Sequence, residues 1–158
     1  MMWYLIIPAI VLLDQVTKIW ATQAFLEHGV QRILPIFNLT LAHNTGVSFS
    51  FFEDLPSPWI LIGLATLMTG FLFYWQAKEK ELWNRIALLI VIGGAIGNII
   101  DRIRLGAVVD FLDVHWQKYH WPSFNVADMA VVCGMGLLFL SLFNVPALLL
   151  KRLKREKS

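Results

Sequence analysis

The chain has 158 residues, of which 58% are hydrophobic and only 15% charged, with seven Trp and eleven Phe, a balance too apolar for an ordinary soluble domain of this size. Its formal net charge of +2 is small, and eight of its thirteen Lys and Arg fall in two short segments, which argues against a nucleic-acid partner. The single cysteine, Cys133, excludes an intramolecular disulfide and a cysteine-based zinc site; within its apolar run it is predicted to be a small buried core residue.

Four apolar stretches, residues 3–21, 59–75, 86–100 and 129–150, approach the roughly 20 residues an α-helix needs to cross a hydrocarbon core of about 30 Å. The first has neither a basic leading region nor a small-residue cleavage site, so it is predicted to be a span rather than a removable leader. The predicted class is therefore an all-α integral membrane protein, with four transmembrane helices and a small exported β-sheet, forming one integral domain over residues 1–158. Lys78, Lys80 and Arg85 separate spans two and three, and Lys151, Arg152, Lys154, Arg155 and Lys157 follow span four. Both segments are expected in the cytoplasm, which puts both termini inside and exports residues 22–58 and 101–128. Arg32, Arg102, Arg104 and Lys118 then lie at the outer side, against the trend without reversing it.

In the first exported connection Ile33, Phe37, Leu39 and Leu41 recur at period two before Gly46, the pattern of a short hairpin or small sheet. The second carries Trp116, Tyr119, Trp121 and Phe124, residue types that favour the headgroup region, and is expected to lie on the membrane surface.

Ionisable groups at membrane depth need a partner or a function. Asp14 lies four residues before Lys18, on the same helix face, so the two can pair. Asp101 precedes Arg102 and Arg104, and an ion pair closing span three competes with a catalytic role. Asp110 has no basic neighbour closer in sequence than Arg104, so its partner must come from elsewhere. Asp128 stands where span four begins, where it can cap the helix, point an oxygen into a cleft, or do both. Two aspartates meeting in a dry site share a proton, and such a pair activates water without a metal or cofactor. Asn44, Asn98 and Asn125 fall near the same outer level and can orient carboxylates or hold a peptide backbone. Gly93 and Gly97 have the spacing that lets another helix approach closely.

Other chemistries find less support. His28, His43, His115 and His120 lack the spacing of a zinc peptidase, and Ser48 and Ser50 near His43 have no third member for a serine mechanism.

Four blocks together resemble the bacterial lipoprotein signal peptidases, an aspartyl peptidase family. They are Asp14-Gln-Val-Thr-Lys18; His43-Asn-Thr-Gly46; Gly93-Gly-Ala-Ile-Gly-Asn-Ile-Ile-Asp-Arg102 with Val108-Val-Asp-Phe111; and Phe124-Asn-Val-Ala-Asp128. The resemblance implies a four-helix peptidase of the bacterial inner membrane, working near the outer leaflet. Its substrate would be a prolipoprotein, cut just before the diacylglyceryl-modified cysteine, with membrane lipid as its surroundings and no metal. It implies Asp110 and Asp128 as the catalytic pair, with Asp14, Asn44, Asn98, Arg102 and Asn125 in binding or orienting roles. Val47 and Ser48 stand where the family commonly has two alanines, a departure that touches only loop packing. The exported loop bearing Asn44 is expected to cover the cleft. The competing reading is a non-enzymatic polytopic protein, a transporter subunit or assembly factor, with structural aspartates.

Overall fold

The computed structural model describes residues 2–25, 29–46 and 58–143. A 3-10 turn at Met2–Leu5 leads into α1 (Ile6–Phe25), where Pro8 sits in the first turn and its missing N–H forfeits no helix hydrogen bond. Asp14, Lys18, Ala21 and Phe25 recur at helical spacing and are the buried residues of α1, while Leu12, Leu13, Val16 and Ile19 are exposed. Two charges thus face inward and leucines outward, the reverse of a soluble helix and the order that lipid demands.

The predicted hairpin forms from β1 (Gln31–Leu34) and β2 (Phe37–Asn44), joined through a turn at Pro35 and Ile36. After α2 (Pro58–Lys78) comes α3 (Leu82–Leu105), which packs against α1, α2 and α4 and carries a buried run from Ala87 to Asp101. Gly106 ends α3 at φ 72°, a left-handed position that a side chain would strain; its N–H returns to the Arg102 carbonyl, and the chain turns directly into β3. The strands β3 (Val108–Trp116) and β4 (Tyr119–His120) complete an antiparallel sheet in the order β1-β2-β3-β4.

The second connection is thus not only a surface segment: it supplies half of the sheet, while Trp116, Tyr119 and Trp121 remain exposed. Period-two reading missed β3 because its first four residues are all buried, leaving no alternation to detect.

The fold is mostly helical with this small sheet. Among the described residues three stretches, Trp3–Phe25, Trp59–Lys78 and Leu82–Leu105, are long and apolar enough to cross a membrane. The fourth helix, α4 (Val126–Leu142), is apolar but shorter, and residues 144–150 of the predicted fourth span lie outside the described residues with the basic tail. Cys133 is exposed on α4, contrary to the expectation of a buried thiol. An apolar run in lipid need not turn any particular residue inward, and Gly134 beside it takes the inner position instead.

The three central helices meet through glycines. A Cβ at Gly93 would touch Ile10 of α1, and one at Gly97 would come within 2.6 Å of the Asp14 carboxylate. Gly94 faces the other way, so close to the Ala127 carbonyl of α4 that no side chain fits. The stripe read from Gly93 and Gly97 does receive a helix, α1, and the intervening Gly94 receives another.

Candidate active site

Where α1, α3, α4 and β3 converge, a polar network is buried among apolar helices. Lys18 Nζ lies 2.9 Å from Asp14 Oδ2 and 2.8 Å from Asp101 Oδ2, and donates to Asn98 Oδ1 at 3.0 Å. All three ammonium protons therefore have acceptors, the condition on which a buried charge is tolerated. The expected pairing of Asp101 with Arg102 or Arg104 does not occur: Arg102, as the adjacent helix position, points apart, Arg104 donates to Gln15 instead, and Lys18 arrives from the buried side of α1. Asp101 also accepts from Val109 N at 3.1 Å, tying the end of α3 to the start of β3.

Asp14 reaches across to α4, where its Oδ1 accepts from Ala127 N at 2.9 Å and satisfies one of the amides left free in the first turn of that helix. The residue that caps α4 is Asn125, not Asp128. Its side chain accepts from Asp128 N at 2.9 Å, while Asp128 Oδ2 accepts from Asn125 N at 3.2 Å, a reciprocal capping box that places the cap three residues before the carboxylate.

Asn125 also connects the two remaining aspartates. Its Nδ2 donates to Asp110 Oδ1 at 2.7 Å, and Asp110 Oδ2 accepts from Asn44 Nδ2 at 3.1 Å. Asp128 Oδ1 accepts from Asn98 Nδ2 at 2.7 Å, and Asn98 Oδ1 in turn accepts from Asn125 Nδ2 at 3.2 Å. Burial, followed by the negative charge of Asp128, pushes the Asp110 carboxyl up to about 6, against the pull of the Asn44 and Asn125 amides. Asp110 therefore holds its proton up to about pH 6, and one protonated carboxyl beside an ionised one is what polarising a carbonyl and deprotonating a water require.

Arg102 joins at the edge, its Nη2 donating to the Gly46 carbonyl at 3.0 Å; Nε is buried with no hydrogen-bond partner among the described residues. Asn44, Asn98, Asn125, Asp14, Asp110 and Asp128 thus share one hydrogen-bonded network, and Arg102 abuts it through the Asn44–Gly46 turn. The loop beyond Gly46, with Val47, Ser48 and Ser50, lies outside the described residues. Gln15 was not singled out from the sequence, yet its Nε2 donates to Asp101 Oδ1 at 2.9 Å and its Oε1 accepts from Arg104 at 3.2 Å. An amide inside a predicted span was the signal that marks it. Among the described residues no group of three or more His, Cys, Asp or Glu is arranged to hold a metal ion.

The family model described as signal peptidase (SPase) II matches residues 6–144, which includes every member of this network. The chain belongs to the signal peptidase II family. A lipoprotein signal peptidase of Vibrio parahaemolyticus is 49% identical over 116 residues, 71% of this chain and 69% of that relative. One of Teredinibacter turnerae is 43% identical over 140 residues, covering 86% of this chain and 83% of its own. A bacterial membrane enzyme solved by the in meso method at 2.3 Å superposes with a TM-score of 0.81 at 27% identity, over 90% of this chain and 88% of that one. The signal peptidase II match begins at the first residue of α1 and extends just past α4, so the family frame encloses all four helices and the polar network between them.

Proposed function

We propose that Asp110 and Asp128 are the catalytic pair with which this chain, an aspartic peptidase of the signal peptidase II family, removes signal peptides from prolipoproteins. The observation that carries the assignment is Asn125, which donates to Asp110 through its side chain and to Asp128 through its backbone, holding the two carboxyl groups to one shared residue. The ionised carboxylate takes a proton from water as the water oxygen attacks the scissile carbonyl carbon, while the protonated partner hydrogen-bonds the carbonyl oxygen. Collapse of the tetrahedral adduct breaks the C–N bond, and the proton gained from water passes to the leaving amine. Asn44, Asn98 and Asn125 fix the carboxyl orientations, Asp14 acts as a positioning residue through the first turn of α4, and Arg102, donating to the Gly46 carbonyl, fixes the turn that carries Asn44.

The finer reading is one integral domain over residues 1–158, with four spans, both termini cytoplasmic and the aspartate pair at the outer leaflet; the Lys and Arg distribution supports it. Cleavage then falls before the diacylglyceryl-modified cysteine, whose lipid enters sideways from the bilayer. An apolar groove of about 460 Å³ running from Asp128 past Met129 and Val132 along α4 supports that route. A non-enzymatic transporter or assembly factor is not favoured, because the chain belongs to the signal peptidase II family and its relatives are lipoprotein signal peptidases.

Cleavage of a diacylglyceryl-modified prolipoprotein by the purified protein in detergent, with and without a chelator, tests the assignment. Wild type is expected to cut in both conditions, and folded Asp110→Asn and Asp128→Asn to lose at least about a thousandfold in kcat. If Asp110→Asn still cuts while a folded Asp101→Asn does not, the pair is assigned wrongly.

A further inference from the structure

One buried carboxylate takes no part in the network above. Asp113 on β3 is 6% exposed, and its Oδ2 accepts from Asn38 Nδ2 at 2.9 Å. His120 Nδ1 lies 2.9 and 3.0 Å from its two oxygens, and the His120 ring stacks on His115 at 4.9 Å between centroids. Burial raises the Asp113 carboxyl, but the hydrogen bonds from His120 and Asn38 outweigh it and hold it below the ordinary range, so it is an anion at neutral pH.

Asp113 shares a cleft with Asp110. Residues three apart on a regular strand point to opposite faces, but Phe111 N and Leu112 N both donate to the Phe124 carbonyl, at 3.1 and 2.9 Å, a bulge that offsets the alternation. Both aspartates consequently line one cleft of about 570 Å³, together with Thr40, His43, Asn44 and His120. No Lys or Arg is among its described lining residues. The cleft also has a direction. The partners of Asp110 include Asn125 at the start of α4, whereas those of Asp113, Asn38 and His120, belong to the sheet alone, so the path from one aspartate to the other leads away from the helices.

We propose that Asp113 is a specificity-determining carboxylate that reads the mature chain on the leaving side of the scissile bond, favouring Lys or Arg and disfavouring Asp or Glu about three residues beyond the cut. The proposal rests on Asp110 being at the scissile bond. A signal helix stays among the helices in the bilayer, so the segment that runs out along the sheet is the one released. Three steps along β3 lead from Asp110 to Asp113, and because the bulge shortens the regular rise of about 3.3 Å per residue the separation is roughly 7–10 Å, which an extended substrate spans with two or three residues.

The test uses lipopeptide substrates identical except for Lys, Ser or Glu at the second, third or fourth position, counting the lipid-modified cysteine as the first. With wild type, kcat/KM for Lys is expected to exceed that for Glu by about tenfold at one of these positions, mainly through KM. Asp113→Asn should bring that ratio to within about twofold of unity, and His120→Gln, which keeps a donor without a titrating ring, should preserve it. Thr40→Lys, on a partly exposed strand position in the same cleft, supplies a second readout should Asp113→Asn misfold, and should shift the preference toward Glu. Equal rates for Lys and Glu at all three positions, or an unchanged ratio in Asp113→Asn or Thr40→Lys, overturn the proposal while leaving the peptidase reading intact. Failure of wild type to cut any of the substrates overturns both.

Discussion

An aspartate whose carboxyl is raised from 3.8 to about 6 holds its proton more tightly in the folded protein than in the unfolded chain. Between those values the native state carries the extra proton, so the contribution of Asp110 to stability is fully present at low pH and is lost as pH rises through about 6. At neutral pH the ionised side chain then costs the fold on the order of 2–3 kcal/mol, held in place by the Asn44 and Asn125 amides. The expected outcome is a decline in wild-type unfolding free energy from pH 4.5 to 7 that exceeds the decline in Asp110→Asn, followed by denaturation in detergent. Parallel curves for the two proteins would mean that Asp110 is not the strained acid described here. Activity should follow the same proton: kcat/KM falls on the alkaline side once the pair no longer shares one.

At the scale of elements, α3 is the surface against which the other helices register, and its glycines fix how closely they come. An Ala in place of a helical Gly ordinarily gains about 1 kcal/mol. At Gly94 the added methyl would collide with the Ala127 carbonyl and lie 2.9 Å from Val131 Cγ2, so α3 and α4 must part. Gly94→Ala should therefore lose about 1–3 kcal/mol in thermal unfolding. It should lose activity too, because Ala127 adjoins Asp128. Gly63→Ala on α2, where nothing lies within 4 Å, is the control and should be neutral or slightly stabilising. A Gly94→Ala protein as stable as Gly63→Ala would refute this account. Spacing had marked Gly93 and Gly97 as a packing stripe, but it could not assign partners, and three glycines within five positions serve two different helices. The hairpin was legible because Phe37, Leu39 and Leu41 alternate; β3 was hidden because Val108 to Phe111 are all buried. Asn125 was legible as polar and near the outer level, but its double duty depends on a capping geometry that only the folded turn creates.

For the molecule as a whole, lipid inverts the usual order of inside and outside. Its exterior carries Leu67, Phe71, Val132 and Phe139, while its interior holds Asp14, Lys18, Asp101 and Asn125. Cys133 on the outer face of α4 reports on this: in native membranes it should resist a water-soluble maleimide for hours, and it should label fully once SDS strips the bilayer away. Rapid labelling in intact membranes would argue that this face of α4 meets water. The same inversion constrains how the protein is made. Lys18 is synthesised 83 residues before Asp101, an interval of roughly 4–17 s at ribosomal speeds of about 5–20 residues per second. Throughout that time its available carboxylate within α1 is Asp14, one helical turn away, and the intrahelical pair lets the first span enter the bilayer with no net charge. When α3 arrives, Lys18 gains Asp101 and Asn98 as further partners, and Asp14 keeps an oxygen ready for the amide of Ala127. The motif at the head of the chain is thus a travelling companion during insertion before it becomes a structural joint of the finished enzyme.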